Sequence, residues 1–204
     1  ADPQYDGSWI GIGGVIAFAT VGALIEDRRP GQVVGRICLA AGLLLLTASL
    51  LALAAVAINA LPGRLPALAA ALAVISSAMS SLVLFLSGPL LVSRFPDGRG
   101  PGRLAGLTDG LLAIAGAIVL SFVFRPGPLE FGGIEPVDNP LGVTGIPFVG
   151  SDDSFAVALL AYGLGSILAL LRLVRRYVRG SPVVRAQIRW LGAALGTSMM
   201  ATVF

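Results

Sequence analysis

Residues 172–190 read Arg-Leu-Val-Arg-Arg-Tyr-Val-Arg-Gly-Ser-Pro-Val-Val-Arg-Ala-Gln-Ile-Arg-Trp, with six arginines between two apolar runs. An arginine at the centre of a bilayer costs about 2.5–3.5 kcal/mol on insertion scales, and basic loops are retained on the cytoplasmic side. The stretch therefore predicts a cytoplasmic basic loop over residues 172–189, and the other loops of the chain can be oriented from it.

The composition excludes an ordinary soluble domain. The 204 residues are 56% hydrophobic and 12% charged, and their mean hydropathy is +0.90. Several apolar runs reach the roughly 20 residues that a helix needs to cross the hydrocarbon core. We predict an all-α polytopic membrane bundle of about six transmembrane helices, the sixth truncated. The predicted spans are residues 9–25, 37–58, 67–92, 104–124, 155–171 and 190–204. Because the chain stops inside the last span, we expect it to be the N-terminal part of a longer protein.

The distribution of arginine predicts the orientation. All 14 basic residues are arginine, and two of them, Arg64 and Arg125, fall in loops that we place outside. The other twelve fall in inner loops or at inner helix ends, as the positive-inside rule requires. We therefore expect the N-terminus outside and a multi-pass protein of the bacterial cytoplasmic membrane. Residues 125–153, rich in proline, glycine and acidic residues, form the predicted external loop, a lid over the outer helix ends.

Two positions inside the predicted spans are candidate functional residues. Pro89 follows Gly88 near the end of the third span, where the missing N–H should kink or break the helix. Asp109 lies about one turn inside the fourth span, and a carboxylate within a membrane is a functional candidate by default. The alternative for Asp109 is an ion pair with Arg94 or Arg103.

Small and polar residues suggest helix contacts. The third span carries serines at spacings of three and four, and we expect their shared face to be buried against another helix, with a polar ligand path as the alternative. Residues 106–110 and 192–196 both match GxxxG. Such motifs serve either packing within the chain or a homodimer, and both stay open here.

Four separated segments together resemble a known family. These are residues 28–31 (Arg-Arg-Pro-Gly), 94–99 (Arg-Phe-Pro-Asp-Gly-Arg), 139–142 (Asn-Pro-Leu-Gly) and 185–191 (Arg-Ala-Gln-Ile-Arg-Trp-Leu). Their order and spacing are similar to the N-terminal membrane sensor region of sensor histidine kinases from high-GC bacteria. The resemblance implies that the parent protein continues into a cytoplasmic dimerisation and ATP-binding region, which acts on a response regulator. This chain has no histidine and therefore no phosphoacceptor of its own.

The sequence predicts a membrane sensor and signal-transmission module of a two-component system. In this module Gly180-Ser181-Pro182 breaks the chain between two basic clusters, and Arg185, Arg189 and Trp190 start the sixth helix as a coupling element at the lipid surface. A transporter or channel subunit and a structural subunit of a larger membrane complex are the alternatives. We predict no catalytic residue, cofactor, metal or nucleic-acid partner in this chain. The lipid bilayer is the expected partner.

Overall fold

The computed structural model describes residues 7–60, 65–96, 98, 102–131 and 134–203. Within these ranges the α-helices are α1 (Gly7–Arg28), α2 (Val33–Asn59), α3 (Pro66–Phe85), α4 (Leu91–Arg94), α5 (Arg103–Ser121), α6 (Asp152–Arg179) and α7 (Pro182–Val203). A kinked segment, Leu86–Leu90, joins α3 to α4, and a 3₁₀ turn, Phe122–Phe124, follows α5. Strands β1 (Pro128–Phe131) and β2 (Ile134–Asp138) form a small antiparallel ribbon in the predicted external loop. The fold is thus helical, as predicted, apart from this ribbon.

Four helical stretches among the described residues are long and apolar enough to cross a membrane. They are Val33–Asn59, Pro66–Arg94, Arg103–Phe124 and Asp152–Arg179. Their 22 to 29 residues equal or exceed the roughly 20 that a spanning helix needs. They are consistent with a multi-pass membrane protein, and they correspond to the second through fifth predicted spans.

The helices bury small residues and expose large ones. On α2, Ala41, Ala48 and Ala55 are at most 1% exposed, whereas Leu43 and Leu53 are 66% and 67% exposed. A soluble protein would turn the leucines inward, because burying them removes the most apolar area from water. Close packing of small residues with leucine on the outside is the pattern of helices surrounded by lipid. The sequence alone left no preferred core side on this Leu/Ala-rich helix, and side-chain size now defines one.

Glycines bring α1 and α2 into close contact. A Cβ atom at Gly22 would lie 2.8 Å from the backbone nitrogen of Leu39 and 3.0 Å from the carbonyl oxygen of Gly35. A Cβ atom at Gly35 would likewise lie 2.9 Å from Cγ2 of Ile25. The two helices therefore approach with backbone against backbone, which only glycine permits at these positions.

The serine face of α3 is buried only in part. Ser76 is 7% exposed, and its Oγ donates a 2.7 Å hydrogen bond to the carbonyl oxygen of Ala48 on α2. Ser77 and Ser80 are exposed, and the hydroxyl of Ser81 bonds to its own helix at Ser77. The expectation of one buried serine face was therefore wrong beyond Ser76, because a hydroxyl can satisfy itself on the preceding turn without a neighbouring helix.

The predicted break at Pro89 is confirmed. α3 ends at Phe85. In the kinked segment that follows, Gly88 has non-helical angles of φ −91° and ψ −111°. Pro89 has no N–H to donate, and its ring excludes the carbonyl of the preceding turn. The regular helix resumes only at Leu91, so the third apolar stretch consists of two helical pieces joined at Gly88-Pro89.

The predicted basic loop, residues 172–189, is helical over most of its length. α6 continues through Arg179 and α7 begins at Pro182, which leaves only Gly180 and Ser181 between them. The break at Gly180-Ser181-Pro182 was predicted correctly, and the loop around it was wrong. Arginine is a good helix former, so basic composition does not end a helix. Some predicted features lie outside the described residues. They are residues 61–64 of the predicted external turn 59–66, including Arg64, residues 97 and 99–101 of the loop before the fourth span, and Phe204.

Candidate functional site: an arginine cluster at one end of the bundle

The described parts of the three basic junctions meet at one end of the bundle, which we call the basic end (residues 28–36, 94–96, 102–103 and 172–189). Gln32 Nε2 donates a 2.9 Å hydrogen bond to the carbonyl oxygen of Pro96. Arg176 Nη1 donates to the carbonyl oxygens of Ser93, at 3.0 Å, and Phe95. These bonds tie the α1–α2 turn and α6 to the segment after α3, so the arginine-rich junctions share one side of the molecule.

Asp109 pairs with Arg94, one of its two predicted partners. Arg94 Nη2 donates to Asp109 Oδ2, and the two side chains are 23% and 34% exposed. The pair ties the end of α4 to the second turn of α5. Asp109 therefore has a structural role at the basic end, and nothing about the pair requires a ligand.

Arg172 adds a second cation beside this pair. It is 9% exposed and interacts electrostatically with Asp109, Arg94 and Arg176. In the part of the chain that the structure describes, Arg172 Nη1 and Asp109 Oδ1 are both buried without a hydrogen-bond partner. A buried cation without a bonded counter-ion is costly, so this guanidinium is a candidate for an external anion.

The α6–α7 junction is closed by the arginines that were predicted to couple the helices. Arg189 Nε donates a 3.1 Å hydrogen bond to Tyr177 Oη, and its guanidinium lies 5.9 Å from the centre of the same ring. Arg185 Nη2 donates to the carbonyl oxygen of Val178 at 3.4 Å. Trp190 is 77% exposed, and its position at the lipid interface stays a prediction.

A cavity that we call the loop-end pocket lies between α3, α5 and α6, toward the end that carries Arg125 and Asp152. Its volume is about 670 Å³. Most of its wall is apolar. Its polar residues are Ser77, Ser81, Tyr162, Arg125, and Asp152 at the start of α6. Tyr162 also reaches the helix break, because a Cβ atom at Gly88 would lie 3.4 Å from Tyr162 Oη. The pocket therefore adjoins the break in the third apolar stretch.

Asn139 fastens the predicted external loop to the end of α5. It is 8% exposed, and its Nδ2 donates to the carbonyl oxygens of Val123 at 2.9 Å and Arg125 at 2.7 Å. Its Oδ1 accepts a 3.0 Å hydrogen bond from the amide of Leu141. These bonds explain physically why an Asn-Pro-Leu-Gly segment suits this position. Gly150 completes the attachment, with φ +68° and no room for a Cβ atom beside Arg125.

Not every predicted contact is found within the chain. Gly106 and Gly110 lie on an exposed face of α5, and a Cβ atom at either would meet nothing within 4 Å. The first GxxxG motif therefore makes no close packing contact with the described part of the chain, and the homodimer stays a prediction. Among the described residues, no group of three His, Cys, Asp or Glu side chains could hold a metal ion.

Sequence reasoning placed Pro89, Asp109 and Arg94 correctly but missed Arg172, Arg176 and Asn139 as contact-forming residues. The signal for the two arginines was their distance inside the end of α6, where a charge needs a partner in the protein. No family model, no curated protein and no solved structure matches the chain.

Proposed function

We propose that this chain is the membrane sensor and signal-transmission module of a two-component sensor histidine kinase whose catalytic region lies outside the 204 residues. In this proposal α1 and α7 are spans as well, which gives six spans with the N-terminus outside in the bacterial cytoplasmic membrane. The response regulator is reached only through the kinase region. The observation that carries the proposal is the position of the Gly88-Pro89 break, between the loop-end pocket and the basic end.

The break gives the third apolar stretch two parts that are held by different neighbours. On its α3 side, Ser77 and Ser81 line the loop-end pocket together with Tyr162 of α6. On its α4 side, Ser93 is bonded to Arg176 of α6, and Arg94 to Asp109 of α5. Gly88 has non-helical angles and Pro89 has no N–H to donate, so the backbone hydrogen-bond ladder is interrupted between the two parts and they are joined by a kink.

A stimulus at the loop end can therefore reach the basic end through α6. A ligand or a loop movement that alters the pocket changes the contact between Tyr162 and the break, and the α4 side is clamped to α6 by Arg176. The end of α6 holds α7 through Tyr177 and Arg189. Such a two-state rearrangement needs only a modest difference in interaction energy between the states.

A transporter or channel subunit fits the charge distribution less well. The charged residues of the described apolar stretches stand toward their ends, such as Arg36 on α2, Asp109 on α5 and Arg172 on α6. An ion or proton pathway needs polar groups through the middle of the bundle. The cluster at the basic end suits signal transmission at a membrane surface better.

The test begins with the gene beyond codon 204. A phosphoacceptor histidine region followed by an ATP-binding region is expected, and a stop codon or an unrelated domain would remove the kinase part of the proposal. In the full-length protein, Arg185→Gln/Arg189→Gln should then change basal autophosphorylation in membrane vesicles at least twofold. The matched control is Arg28→Gln/Arg29→Gln, which removes two exposed arginines from another junction of the same end. Equal activity in both double variants at normal membrane levels would reduce the α6–α7 junction to a topology signal.

A further inference from the structure

A groove at the basic end is built for an anion. It has a volume of about 670 Å³ and lies between the start of α5, the last turns of α6 and the start of α7. Arg172, Arg175, Arg176 and Arg179 line it, and none of the described residues that line it is acidic. We call this site the arginine groove. Arg176 also donates to the carbonyl oxygens of Ser93 and Phe95, but the four arginines still concentrate positive charge at one cavity, and an anion there reduces their mutual repulsion.

The start of α5 contributes a second source of positive potential. Gly102 is the N-cap residue of this 19-residue helix, lines the groove and provides no side-chain cap for the first amides. The N-terminal N–H groups of a helix carry about half a positive charge in total and favour a phosphate group.

Arg172 is the observation that points to a ligand rather than to solvent. It is 9% exposed, it lines the groove, and its Nη1 has no hydrogen-bond partner among the described residues. Asp109 is the acidic residue whose charge acts on Arg172, but its Oδ2 is bonded to Arg94 instead. A buried guanidinium with an unused N–H is satisfied best by an oxyanion, and phosphate matches its planar fork.

The wall of the groove identifies the source of the phosphate. Leu104, Leu168 and Leu171 line it beside the arginines, and Leu171 is 59% exposed on the outer face of α6. Leu170 and Val174 continue the exposed apolar face at 54% and 57%. A free phosphate ion gains nothing from contact with these apolar side chains. The acyl chains of a lipid, by contrast, pack against them while the headgroup reaches the arginines.

We infer that the arginine groove binds the phosphate headgroup of one anionic phospholipid of the arginine-facing leaflet, with its acyl chains lying along the exposed leucines of α6. The site does not depend on the kinase assignment, since it requires only that the helices span a membrane. A bound lipid here touches α5, α6 and α7 together and so stabilises their arrangement at the basic end.

The experiment is native mass spectrometry of the purified chain, released from micelles that contain equal amounts of phosphatidylglycerol and phosphatidylcholine. The wild-type chain should retain one phosphatidylglycerol molecule in preference to phosphatidylcholine. Arg175→Gln/Arg179→Gln, at two exposed positions lining the groove, should lower that retention about tenfold or more. Arg172→Gln should lower it as well, and the double variant keeps the test decisive if Arg172→Gln does not fold.

The matched control is Arg28→Gln/Arg29→Gln, which removes the same charge from another junction of the basic end, at exposed positions that do not line the groove. Unchanged retention in this control supports the site. Equal loss in both double variants would show general surface attraction and overturn it, as would a wild-type chain with no preference for phosphatidylglycerol. Displacement of the lipid by millimolar inorganic phosphate, with phosphate itself retained, would assign the groove to the free ion and overturn the lipid assignment.

Discussion

Arg176 Nη1, near the end of α6, donates a 3.0 Å hydrogen bond to the carbonyl oxygen of Ser93, which lies five residues after Gly88 in the short helix beyond the break. The same nitrogen also donates to the carbonyl oxygen of Phe95. Ser93 is fully buried. A guanidinium therefore binds two carbonyl groups at the end of the short helix that follows the break, and it joins α4 to α6.

Arg176→Gln should destabilise the chain because these carbonyl groups lose a charged donor. Leaving buried carbonyls unsatisfied costs about 1–3 kcal/mol. The matched control is Arg175→Gln, which changes the neighbouring, exposed arginine and should alter the free energy of unfolding by about 0.5 kcal/mol or less. Reversible unfolding in detergent, followed by circular dichroism, measures both. Equal effects in the two variants would contradict the clamp.

Asp109→Asn should destabilise the chain more than Arg94→Gln. Asp109 is bonded to Arg94 and also faces Arg172 electrostatically, so its neutralisation leaves two guanidinium groups without a counter-charge. Removal of Arg94 still leaves Asp109 opposite Arg172. We expect a loss of about 1–3 kcal/mol for Asp109→Asn and less for Arg94→Gln. The same unfolding assay decides the order, and a larger loss for Arg94→Gln would mean that Arg172 does not interact with Asp109.

Gly22→Ala should separate α1 from α2. Its Cβ atom would lie 2.8 Å from the backbone nitrogen of Leu39, and backbone cannot move aside as a flexible side chain can. We expect a loss of about 1–3 kcal/mol from overpacking. Gly13→Ala on the same helix meets nothing within 4 Å and should be neutral or stabilising by up to about 1 kcal/mol, because alanine is the better helix former. Thermal unfolding in detergent compares the two, and a neutral Gly22→Ala would contradict the close approach.

The sequence predicted the features that depend on local chemistry. Pro89 cannot donate a backbone bond, so a break there could be predicted without knowing any neighbour. Asp109 needed a counter-ion near the end of its helix, and Arg94 and Arg103 were the arginines within reach along the chain. The predicted starts and ends of the second through fourth spans lie within four residues of the observed ones. The reason is the same, because hydropathy and the positions of proline are local properties of the sequence.

The contacts that depend on three-dimensional packing could not be predicted in this way. Ala48 and Leu43 both count as apolar in a hydropathy average, and only the arrangement of neighbouring helices leaves one buried and the other exposed. Arg172 and Arg179 look alike in the basic stretch, yet Arg172 is buried and Arg179 exposed, because Arg172 lies about two turns further inside the bundle and Arg179 is the last residue of α6. Asn139 attracted interest only through a resemblance, since its partners Val123 and Arg125 offer backbone carbonyls that carry no sequence signal.

Asn139→Ala should loosen the attachment of the predicted external loop without changing the bundle. The variant loses donors to Val123 and Arg125 and an acceptor for Leu141, at about 1 kcal/mol for each hydrogen bond. Amide hydrogen exchange at Leu141 and Gly142 should therefore become about tenfold faster or more. Asp138→Ala, at the exposed neighbouring position, is the control and should leave the exchange rates unchanged. Equal acceleration in both variants would contradict the anchoring role of Asn139.

The orientation of the chain can be measured with one pair of cysteines at the two ends of α6. Thr144 and Ser181 are exposed and flank this 28-residue helix, whose length of about 42 Å exceeds the hydrocarbon core. In a Cys38→Ala background, a cysteine at 144 should react with an impermeant maleimide on intact cells. A cysteine at 181 should react only after permeabilisation, because twelve of the 14 arginines lie at its end or adjoin it in the predicted topology. Labelling of both after permeabilisation is the control for reactivity.

Since the bonds from Gln32 to Pro96 and from Arg176 to Ser93 fix the basic junctions on one side, this single pair orients all of them. The reverse pattern would place the arginine groove outside, and labelling of both positions on intact cells would remove α6 as a span.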